Sequence, residues 1–496
     1  MVIVSTHRPI GANEFLVAAG ALVAGLLLHF WIAGAFALFP RHLWLDEVLT
    51  FMLVSDPDWR HAGQALAGAV DTNPPGFHLI LRAFCAVSGG VTPVNLRIFS
   101  CVSIYLALLG LYACLRQSLG ILAAIAGILA LWSMPLIVHH TFEARFYGPL
   151  LATTAWLAFC FIIVRRTKQV AVVYIAIAFL SIIVCTVHYF GVLALVAIAA
   201  GAMFAHRDRQ AVIASAVACV SGFIALCACI PLFLSQRTGL RASTWVDPVN
   251  FALVREYVDD LFPSVAVILT LLIVCLYLSF NPAARSTWRD RNFWRDLVPW
   301  THLAPLLATA MVAGVVMVFS VVVQPALVAR YAIPSTLAGA TAVAILVSKL
   351  PVRWQVGTVT LLAFACIAPR FPSPFAESLH RRTPLASNVY RWTTFDSNVD
   401  RLISDIRAEG RNAIVIFELR QYVYPVVAAA PDLRDICFYF DSTGIKRAGH
   451  FELYESDMAA RVQHFYGWPR VLTPRNVPLD RPLFRIDDND QLVRMR

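Results

Sequence analysis

Trp44-Leu45-Asp46-Glu47 and Asp71-Thr72-Asn73-Pro74-Pro75-Gly76 are two polar stretches in an otherwise apolar chain. Both lie in the interval that follows the first long apolar segment, Phe15 to Phe39. Ionisable groups beside a bilayer are costly to place and usually serve a function. The two stretches therefore predict a functional loop at a membrane surface, and the surrounding sequence must supply the membrane part.

The composition is typical of a polytopic membrane protein. Of the 496 residues, 59% are hydrophobic and only 14% are charged, whereas soluble domains carry about 25% charged residues. About eleven apolar segments have the roughly 17–25 residues that a spanning helix needs. They cover approximately residues 15–39, 94–115, 119–138, 147–164, 170–187, 189–205, 211–234, 262–280, 299–323, 331–349 and 354–369. We therefore predict a transmembrane α-helical domain over residues 1–369.

The distribution of charge predicts which loops share a side of the membrane. Pro75 to Val87 is apolar but too short to cross, and it contains His78 and Arg82, so we predict an interfacial helix. The short basic clusters, such as Arg165-Arg166-Thr167-Lys168, then fall on one side, as the positive-inside rule requires. The loop 41–93 and the C-terminal tail share the opposite, outer side.

The tail over residues 370–496 differs from the rest because it is polar with short apolar pieces. Its pattern predicts a small α/β domain outside the membrane. The expected elements are helices at Val399–Ala408 and Asp457–Tyr466, strands at Ala413–Phe417 and Cys437–Phe440, and an edge strand at Leu483–Ile486.

Charge and cysteine content exclude two other classes of protein. The net charge of +10 comes largely from short loops, which the positive-inside rule explains without a nucleic-acid partner. Ten of the eleven cysteines lie in or beside apolar segments, without Cys-x-x-Cys or cysteine–histidine metal spacing. They are predicted to be buried thiols rather than a disulfide framework.

The acidic pair of the first loop is the leading catalytic candidate. A carboxylate such as Asp46, placed just after a span, can take a proton from an acceptor hydroxyl at the membrane surface. The alternative is that Asp46 and Glu47 are a solvated pair at the end of a helix. Asp71 adds a carboxylate and Asn73 an amide, although a plain turn before the interfacial helix would also explain this second stretch.

A second polar cluster, His139-His140-Thr141-Phe142-Glu143-Ala144-Arg145-Phe146-Tyr147, lies between two spans on the outer side. If the cluster is helical, His140, Glu143 and Tyr147 share one face; if it is extended, Glu143, Arg145 and Tyr147 do. The two histidines and Glu143 could bind a divalent metal, and a hydrogen-bonded cluster is the alternative. Whether a metal binds stays open.

Arg330-Tyr331 begins a later span on the same side. The Arg330 guanidinium suits capture of a phosphate. The alternative is a snorkelling arginine beside an aromatic residue of the membrane interface.

Taken together, these stretches resemble the GT-C glycosyltransferases, and in particular the branch that contains protein O-mannosyltransferases and bacterial aminoarabinose transferases. The resemblance covers roughly residues 10–350. The residues that carry it, in chain order, are Trp44-x-Asp46-Glu47, Asn73-Pro74-Pro75-Gly76-Phe77-His78, Leu96-Arg97, Glu143-Ala144-Arg145-Phe146-Tyr147 and Arg330-Tyr331-x-x-Pro334.

The resemblance implies transfer of a sugar from a polyprenyl-phosphate carrier to a lipid A, cell-wall glycan or protein acceptor, with inversion at the anomeric carbon. It implies Asp46 as base with Glu47 in support, and Arg330 holding the donor phosphate. The other residues implied to contact donor or acceptor are Asp71, Asn73, His78, His139, Glu143, Arg145, Tyr147 and Tyr331. Asn73 stands where relatives can have an acid, which leaves the contribution of Asp71 open.

Two other functions remain alternatives at this point. One is a transporter or flippase of a lipid-linked substrate, although such proteins place ionisable groups near the bilayer midplane. The other is a non-catalytic subunit that binds partners through its tail. The expected location is a bacterial inner membrane, with the acidic loop and the tail in the periplasm.

Overall fold

The protein is a bundle of apolar helices with a small sheet formed by its C-terminal part. A computed structural model describes residues 11–239, 246, 248–290, 298–367, 384–417, 420–440, 450–473, 480–486 and 491–495. The predicted domain boundary at residues 369/370 lies outside these residues.

Fourteen helices make up the first part of the chain as described. They are α1 Ala12–Ala33, α2 Leu45–Ser55, α3 Trp59–Ala67, α4 Pro75–Val87, α5 Pro93–Arg116, α6 Ile121–Trp132, α7 Pro135–Thr141, α8 Tyr147–Ile163, α9 Val170–Val187, α10 Gly191–Ala205, α11 Arg209–Gly239, α12 Phe251–Leu261, α13 Ser264–Phe280 and α14 Pro282–Arg289.

The remaining described helices are α15 Trp300–Leu307, α16 Ala310–Val322, α17 Thr336–Ser348, α18 Val352–Ile367, α19 Pro384–Glu409, α20 Arg420–Ala429 and α21 His450–Tyr466. A short 3-10 segment, Ala329–Ser335, precedes α17 and carries Arg330.

The number of spans differs from the prediction of about eleven. Six stretches are long and apolar enough to cross a membrane, or up to eight if each of two bent helix pairs forms one span. Three other predicted spans correspond to α8, α10 and α18, which are shorter apolar helices. The predicted span 119–138 is bent by 74° between α6 and α7. Many membrane-length helices establish a multi-pass membrane protein, but eleven spans are not confirmed.

The loop 41–93 contains three helices, and α4 begins and ends where the sequence predicted the interfacial helix. Pro75 occupies the first turn of α4, where its missing N–H leaves no intrahelical bond unmade. Gly76 lets this turn approach the end of α9, because a Cβ atom there would lie 2.7 Å from the Thr186 carbonyl oxygen. Close contact between α4 and α9 fixes the Asp71–Asn73 turn over the helix bundle.

The tail forms a five-stranded sheet of β1 Ile414–Phe417, β2 Cys437–Phe440, β3 Arg470–Leu472, β4 Leu483–Ile486 and β5 Leu492–Arg494. The strand order is β3-β2-β1-β4-β5. The first three neighbouring pairs are parallel and β4 pairs antiparallel with β5. The prediction of β4 as an edge strand was wrong, because β5 adds a further strand beyond it.

Contacts at two places join this tail to the loop 41–93. Near the start of α2, Asp396 of α19 accepts a hydrogen bond from the His42 N–H at 3.1 Å. Near α3, the Tyr466 hydroxyl donates to Asp56 at 3.3 Å, and a ring nitrogen of His61 lies 3.1 Å from the Phe465 carbonyl oxygen. The tail therefore rests on the loop that carries the acidic pair.

Candidate active site

Asp46 and Glu47 lie in the first turn of α2, where negative charge is favoured by the helix dipole. Successive helical residues point about 100° apart, so the two carboxylates enter different surroundings. Glu47 is fully buried, whereas the side chain of Asp46 keeps 22% of its surface exposed. The adjacent acids therefore have separate environments.

Glu47 is the anion of a buried ion cluster. The Arg97 side chain donates to both of its oxygens, at 3.0 and 2.7 Å, and Arg41 lies 3.1 Å away. The Ala144 N–H adds a hydrogen bond of 2.9 Å. Burial opposes ionisation, but the two guanidinium groups hold the pKa of Glu47 below its ordinary value. Glu47 is therefore ionised, and both of its carboxylate oxygens accept hydrogen bonds.

Arg97 also organises the chain just before α2. Its guanidinium donates to the carbonyl oxygens of Phe39, Arg41 and His42 at 2.8, 2.6 and 2.9 Å. These carbonyls lie between α1 and α2, where helical partners are lacking. Together with Glu47, Arg97 fixes the path of the backbone that leads to Asp46.

Asp71 and Arg145 form a second buried ion pair below α2. Arg145 donates to Asp71 at 2.8 Å and to the Thr50 hydroxyl at 3.0 Å. Asn73 donates to Asp71 at 2.6 Å, and His78 Nε2 lies 3.3 Å from it. Although burial opposes ionisation, Arg145 holds the pKa of Asp71 far below its ordinary value. The polar residues of the second stretch thus support Arg145 and each other.

The cluster 139–147 is neither one helix nor one extended segment, because α7 ends at Thr141 and α8 begins at Tyr147. The turn between them nevertheless brings Glu143 to His140, which it contacts through a short hydrogen bond. The rings of His140 and Tyr147 lie 4.0 Å apart. His139 lies at the rim, with its Nε2 atom 3.6 Å from Glu143.

Arg330 faces Asp46 across the exposed part of the site. Its Nη1 atom lies 3.9 Å from an Asp46 carboxylate oxygen, and both side chains are about one-fifth exposed. The guanidinium also lies 5.9 Å from the Tyr147 ring and 6.0 Å from the Tyr331 ring. A partly exposed carboxylate and a partly exposed guanidinium therefore face each other beside two tyrosine rings, and we call this part of the site the opening.

His139, His140 and Glu143 could hold a divalent metal. One ligand atom from each lies within 4.8 Å of the others, and imidazole with carboxylate suits Zn²⁺ and related ions. Glu143 Oε1 is buried and has no hydrogen-bond partner among the described residues, which leaves an oxygen for such an ion. The donor set fits a metal, although the His140–Glu143 hydrogen bond also explains the cluster.

The structure brings the residues singled out from the sequence into one region around α2. Asp46 and Arg330 lie at its opening, and Glu47, Asp71 and Glu143 lie buried behind them. The sequence analysis quoted Leu96-Arg97 among the stretches behind the resemblance but gave Arg97 no role in the site, and it did not single out Arg41. Arg97 carried a usable signal, because it is a charged residue in an otherwise apolar span; Arg41 carried none beyond its nearness to the acidic pair.

Comparison with a family model gives an independent result. Residues 72–234 match the model described as dolichyl-phosphate-mannose-protein mannosyltransferase. This match includes three of the stretches behind the predicted resemblance: Asn73-Pro74-Pro75-Gly76-Phe77-His78, Leu96-Arg97 and Glu143-Ala144-Arg145-Phe146-Tyr147. No curated protein matches the chain in sequence at a significant level.

Solved structures share the fold over nearly the whole chain. ArnT from Cupriavidus metallidurans in the apo state has a TM-score of 0.54 and 13% sequence identity, covering 95% of this chain and 94% of that one. ArnT from the same organism bound to undecaprenyl phosphate has a TM-score of 0.52 and 13% identity, covering 97% and 94%.

The family match over residues 72–234 and the fold shared with ArnT together support a multi-pass membrane glycosyltransferase of the GT-C type. The resemblance predicted from the sequence is thereby confirmed. The match to a transferase family favours an enzyme over the alternatives of a transporter and a non-catalytic subunit.

Proposed function

We propose that the protein transfers a sugar from a polyprenyl-phosphate carrier to a hydroxyl group on the outer side of a bacterial inner membrane. The observation that carries this proposal is the pairing of Asp46 and Arg330 at one opening. The ArnT structure with bound undecaprenyl phosphate supports the choice of carrier, because it has the same fold. The acceptor classes remain lipid A, cell-wall glycan and protein.

Asp46 is proposed as the base because its environment differs from those of the other site carboxylates. Glu47, Asp71 and Glu143 are buried and bound to arginine or histidine. The ion pair of the Asp46 carboxylate with Arg330 is long and partly exposed, so a hydroxyl can approach it. A base must be within hydrogen-bond reach of the proton that it removes, and Asp46 is the site carboxylate with that access.

In the proposed reaction the acceptor hydroxyl loses its proton to Asp46 as its oxygen bonds to the anomeric carbon. The bond between that carbon and the donor phosphate oxygen breaks, and the phosphate leaves with the electron pair. Attack opposite the leaving group inverts the configuration. Arg330 would bind the departing phosphate, since a preorganised guanidinium stabilises developing negative charge. Arg145 lies behind Arg330 and neutralises the charge of Asp71.

Glu47 is proposed to position the loop rather than to exchange protons, because both of its oxygens are bound by arginine. Asn73 and His78 would support Asp71, and His139, Tyr147 and Tyr331 would line the opening. A divalent ion held by His139, His140 and Glu143 would supply positive charge beside the phosphate. Metal analysis of the purified protein beside His139→Ala tests this: an ion bound stoichiometrically by the wild type and lost in the variant would assign the cluster.

The proposed function is tested by sugar transfer in nanodiscs with a panel of polyprenyl-phosphate sugars, with wild type beside Asp46→Asn. We expect turnover with at least one donor, and a loss of about 100-fold or more in Asp46→Asn, in line with removal of a general base. Unchanged turnover in the variant would remove Asp46 from this role. Absence of transfer with every donor, together with movement of lipid-linked sugar across the membrane, would instead favour a transporter.

A further inference from the structure

We infer that Trp392, which the C-terminal tail supplies, is a positioning residue of the active site and acts through Arg41. The indole is 4% exposed, and the guanidinium carbon of Arg41 lies 3.8 Å from its ring centroid. Arg41 in turn contacts Glu47 and donates to the Phe142 carbonyl oxygen at 3.0 Å. This inference rests on the proposed function for the meaning of the site, but its contacts do not depend on it.

The same indole touches both polar clusters of the site. Its ring stacks on His139 at 5.8 Å with an interplanar angle of 25°. It also lies 6.0 Å, between ring centroids, from Trp44, the residue that directly precedes α2. One side chain of α19 therefore joins the residue before α2 to the histidine next to the His140–Glu143 pair.

Acidic residues on α19 hold the indole over Arg41. Asp396, one turn after Trp392, accepts the His42 N–H at 3.1 Å, and Asp400 lies 2.8 Å from His42 Nε2. Helical residues four apart lie on one face, so Trp392, Asp396 and Asp400 form a row along the segment 41–42. The two aspartates fix the position of α19 on the loop independently of the indole.

Arg41 needs such a cover because it is a buried cation beside a second buried cation, Arg97. Arg97 and Arg41 share Glu47, and the face of an aromatic ring attracts a guanidinium most strongly where water is excluded. Without the indole, water would reach Arg41 and compete for it, and the loop carrying Asp46 would lose part of its support. A displacement of about 1 Å in a catalytic group can lower a rate by roughly 100-fold.

The test compares Trp392→Leu and Trp392→Phe with a matched control, Trp59→Leu. Trp59 is half exposed and has the Arg82 guanidinium carbon 4.0 Å from its ring, so its loss removes the same kind of contact away from the carboxylates. We expect kcat to fall about tenfold to 100-fold in Trp392→Leu, with most activity kept in Trp392→Phe and in the control. The KM for the donor should stay near the wild-type value, because the indole lies behind the loop and not at the opening.

A double-mutant cycle with Arg41→Gln separates positioning from general loss of stability. If Trp392 acts through Arg41, Trp392→Leu should cause little further loss in the Arg41→Gln background. If the Trp392 and Arg41 substitutions instead lower kcat independently, so that their effects multiply, the inference is overturned. Equal kcat values in Trp392→Leu and Trp59→Leu would also overturn it.

Backbone hydrogen exchange tests the contact even if sugar transfer fails. We expect faster exchange over residues 41–47 in Trp392→Leu and unchanged exchange there in Trp59→Leu, at equal thermal stability of the membrane part. Unchanged exchange in both variants would overturn the inference whatever the activity. If the wild type transfers no sugar but exchange over residues 41–47 is still faster in Trp392→Leu, the proposed function is rejected and the positioning contact is retained.

Discussion

Glu47 and Asp46 are adjacent in the chain, but Glu47 is buried and Asp46 is partly exposed. Around Glu47, two arginines, a backbone N–H and the tail above Arg41 exclude water. The Asp46 carboxylate, in contrast, lies 3.9 Å from the Arg330 guanidinium, and about one-fifth of each of these two side chains is exposed. The closed side fixes the backbone, and the open side leaves a carboxylate and a guanidinium available to a substrate.

This difference indicates that structural and chemical roles can be divided between adjacent residues. A buried carboxylate between two guanidinium groups is strongly destabilising to break, because an unpaired charge then remains in the interior. A partly exposed carboxylate contributes little to stability but can exchange a proton. Variants on the two sides should therefore separate loss of folding from loss of activity.

The largest effect is expected for Glu47→Gln. Removing its charge leaves Arg41 and Arg97 buried without their anion, and loss of one partner of a buried pair costs about 3–5 kcal/mol. Thermal unfolding in detergent should show a clear fall in Tm. Asp46→Asn is the matched control and should change the free energy of unfolding by no more than about 0.5 kcal/mol. Equal Tm values for the two variants would contradict the division of roles.

The next effect concerns Arg330 on the open side. Loss of one preorganised donor to a developing negative charge typically lowers kcat by about 100-fold to 1,000-fold. We expect a loss of this size in Arg330→Gln and a smaller loss in Arg330→Lys, which keeps the charge but not the bidentate geometry. Steady-state transfer assays with a saturating acceptor measure both. A lysine variant as impaired as the glutamine variant would mean that geometry, rather than charge, dominates.

Acid should weaken the closed side. Burial opposes ionisation, but the pKa values of Glu47, Asp71 and Glu143 are held below their ordinary values, by arginine for the first two and by His140 for Glu143. The stability that these three carboxylates add is thus complete above their pKa in the unfolded chain, about 4, and is lost as pH falls below that value. Tm should stay level from pH 7 to 5 and then decline. In Asp71→Asn the Tm should be lower throughout and the decline shallower; an equal decline would exclude Asp71 as a contributor.

The smallest effect is expected where the tail meets α3. A hydrogen bond with Asp56 raises the pKa of His61, whose side chain is 37% exposed. The stability that the His61–Asp56 pair adds is therefore complete below the ordinary histidine pKa, about 6.5. It is lost as pH rises through the higher pKa of His61 in the folded protein. Because the pair is partly solvated, it should be worth less than about 1 kcal/mol. The protection of residues 462–466 against hydrogen exchange, expressed relative to the intrinsic exchange rate at each pH, should be lower at pH 8.5 than at pH 6, and His61→Ala should abolish this difference.

Hydropathy could predict where the helices lie but not how they bend. The bounds of α4 and α9 follow from the lengths of their apolar runs, and both match the predictions. The 74° bend between α6 and α7 arises inside one continuous apolar run, beside Pro135, which hydropathy averages away. In the tail, β5 has only three residues, too few for a two-residue period to be recognised, so β4 was taken for an edge.

Charged residues in an apolar context made most of the site predictable. Arg145, Glu143 and Arg330 stand out because each is costly to place at a membrane boundary. Partners that come from distant parts of the chain could not be predicted from the sequence. Trp392 and Asp396 meet Arg41 and His42 only in three dimensions, and nothing in their local sequence distinguishes them from other residues of an amphipathic helix. The division between Asp46 and Glu47 likewise depends on which side of α2 faces Arg97.

The cover that α19 places over Arg41 also has a consequence for how the protein is made. Synthesis proceeds from the N-terminus, and domains generally fold in that order. The acidic loop is made early, whereas Trp392 follows after the helices that cross the membrane. The site can therefore acquire its final geometry only once the last quarter of the chain has reached the same side of the membrane and folded there. A chain that stops during insertion has its carboxylates but not their finished arrangement.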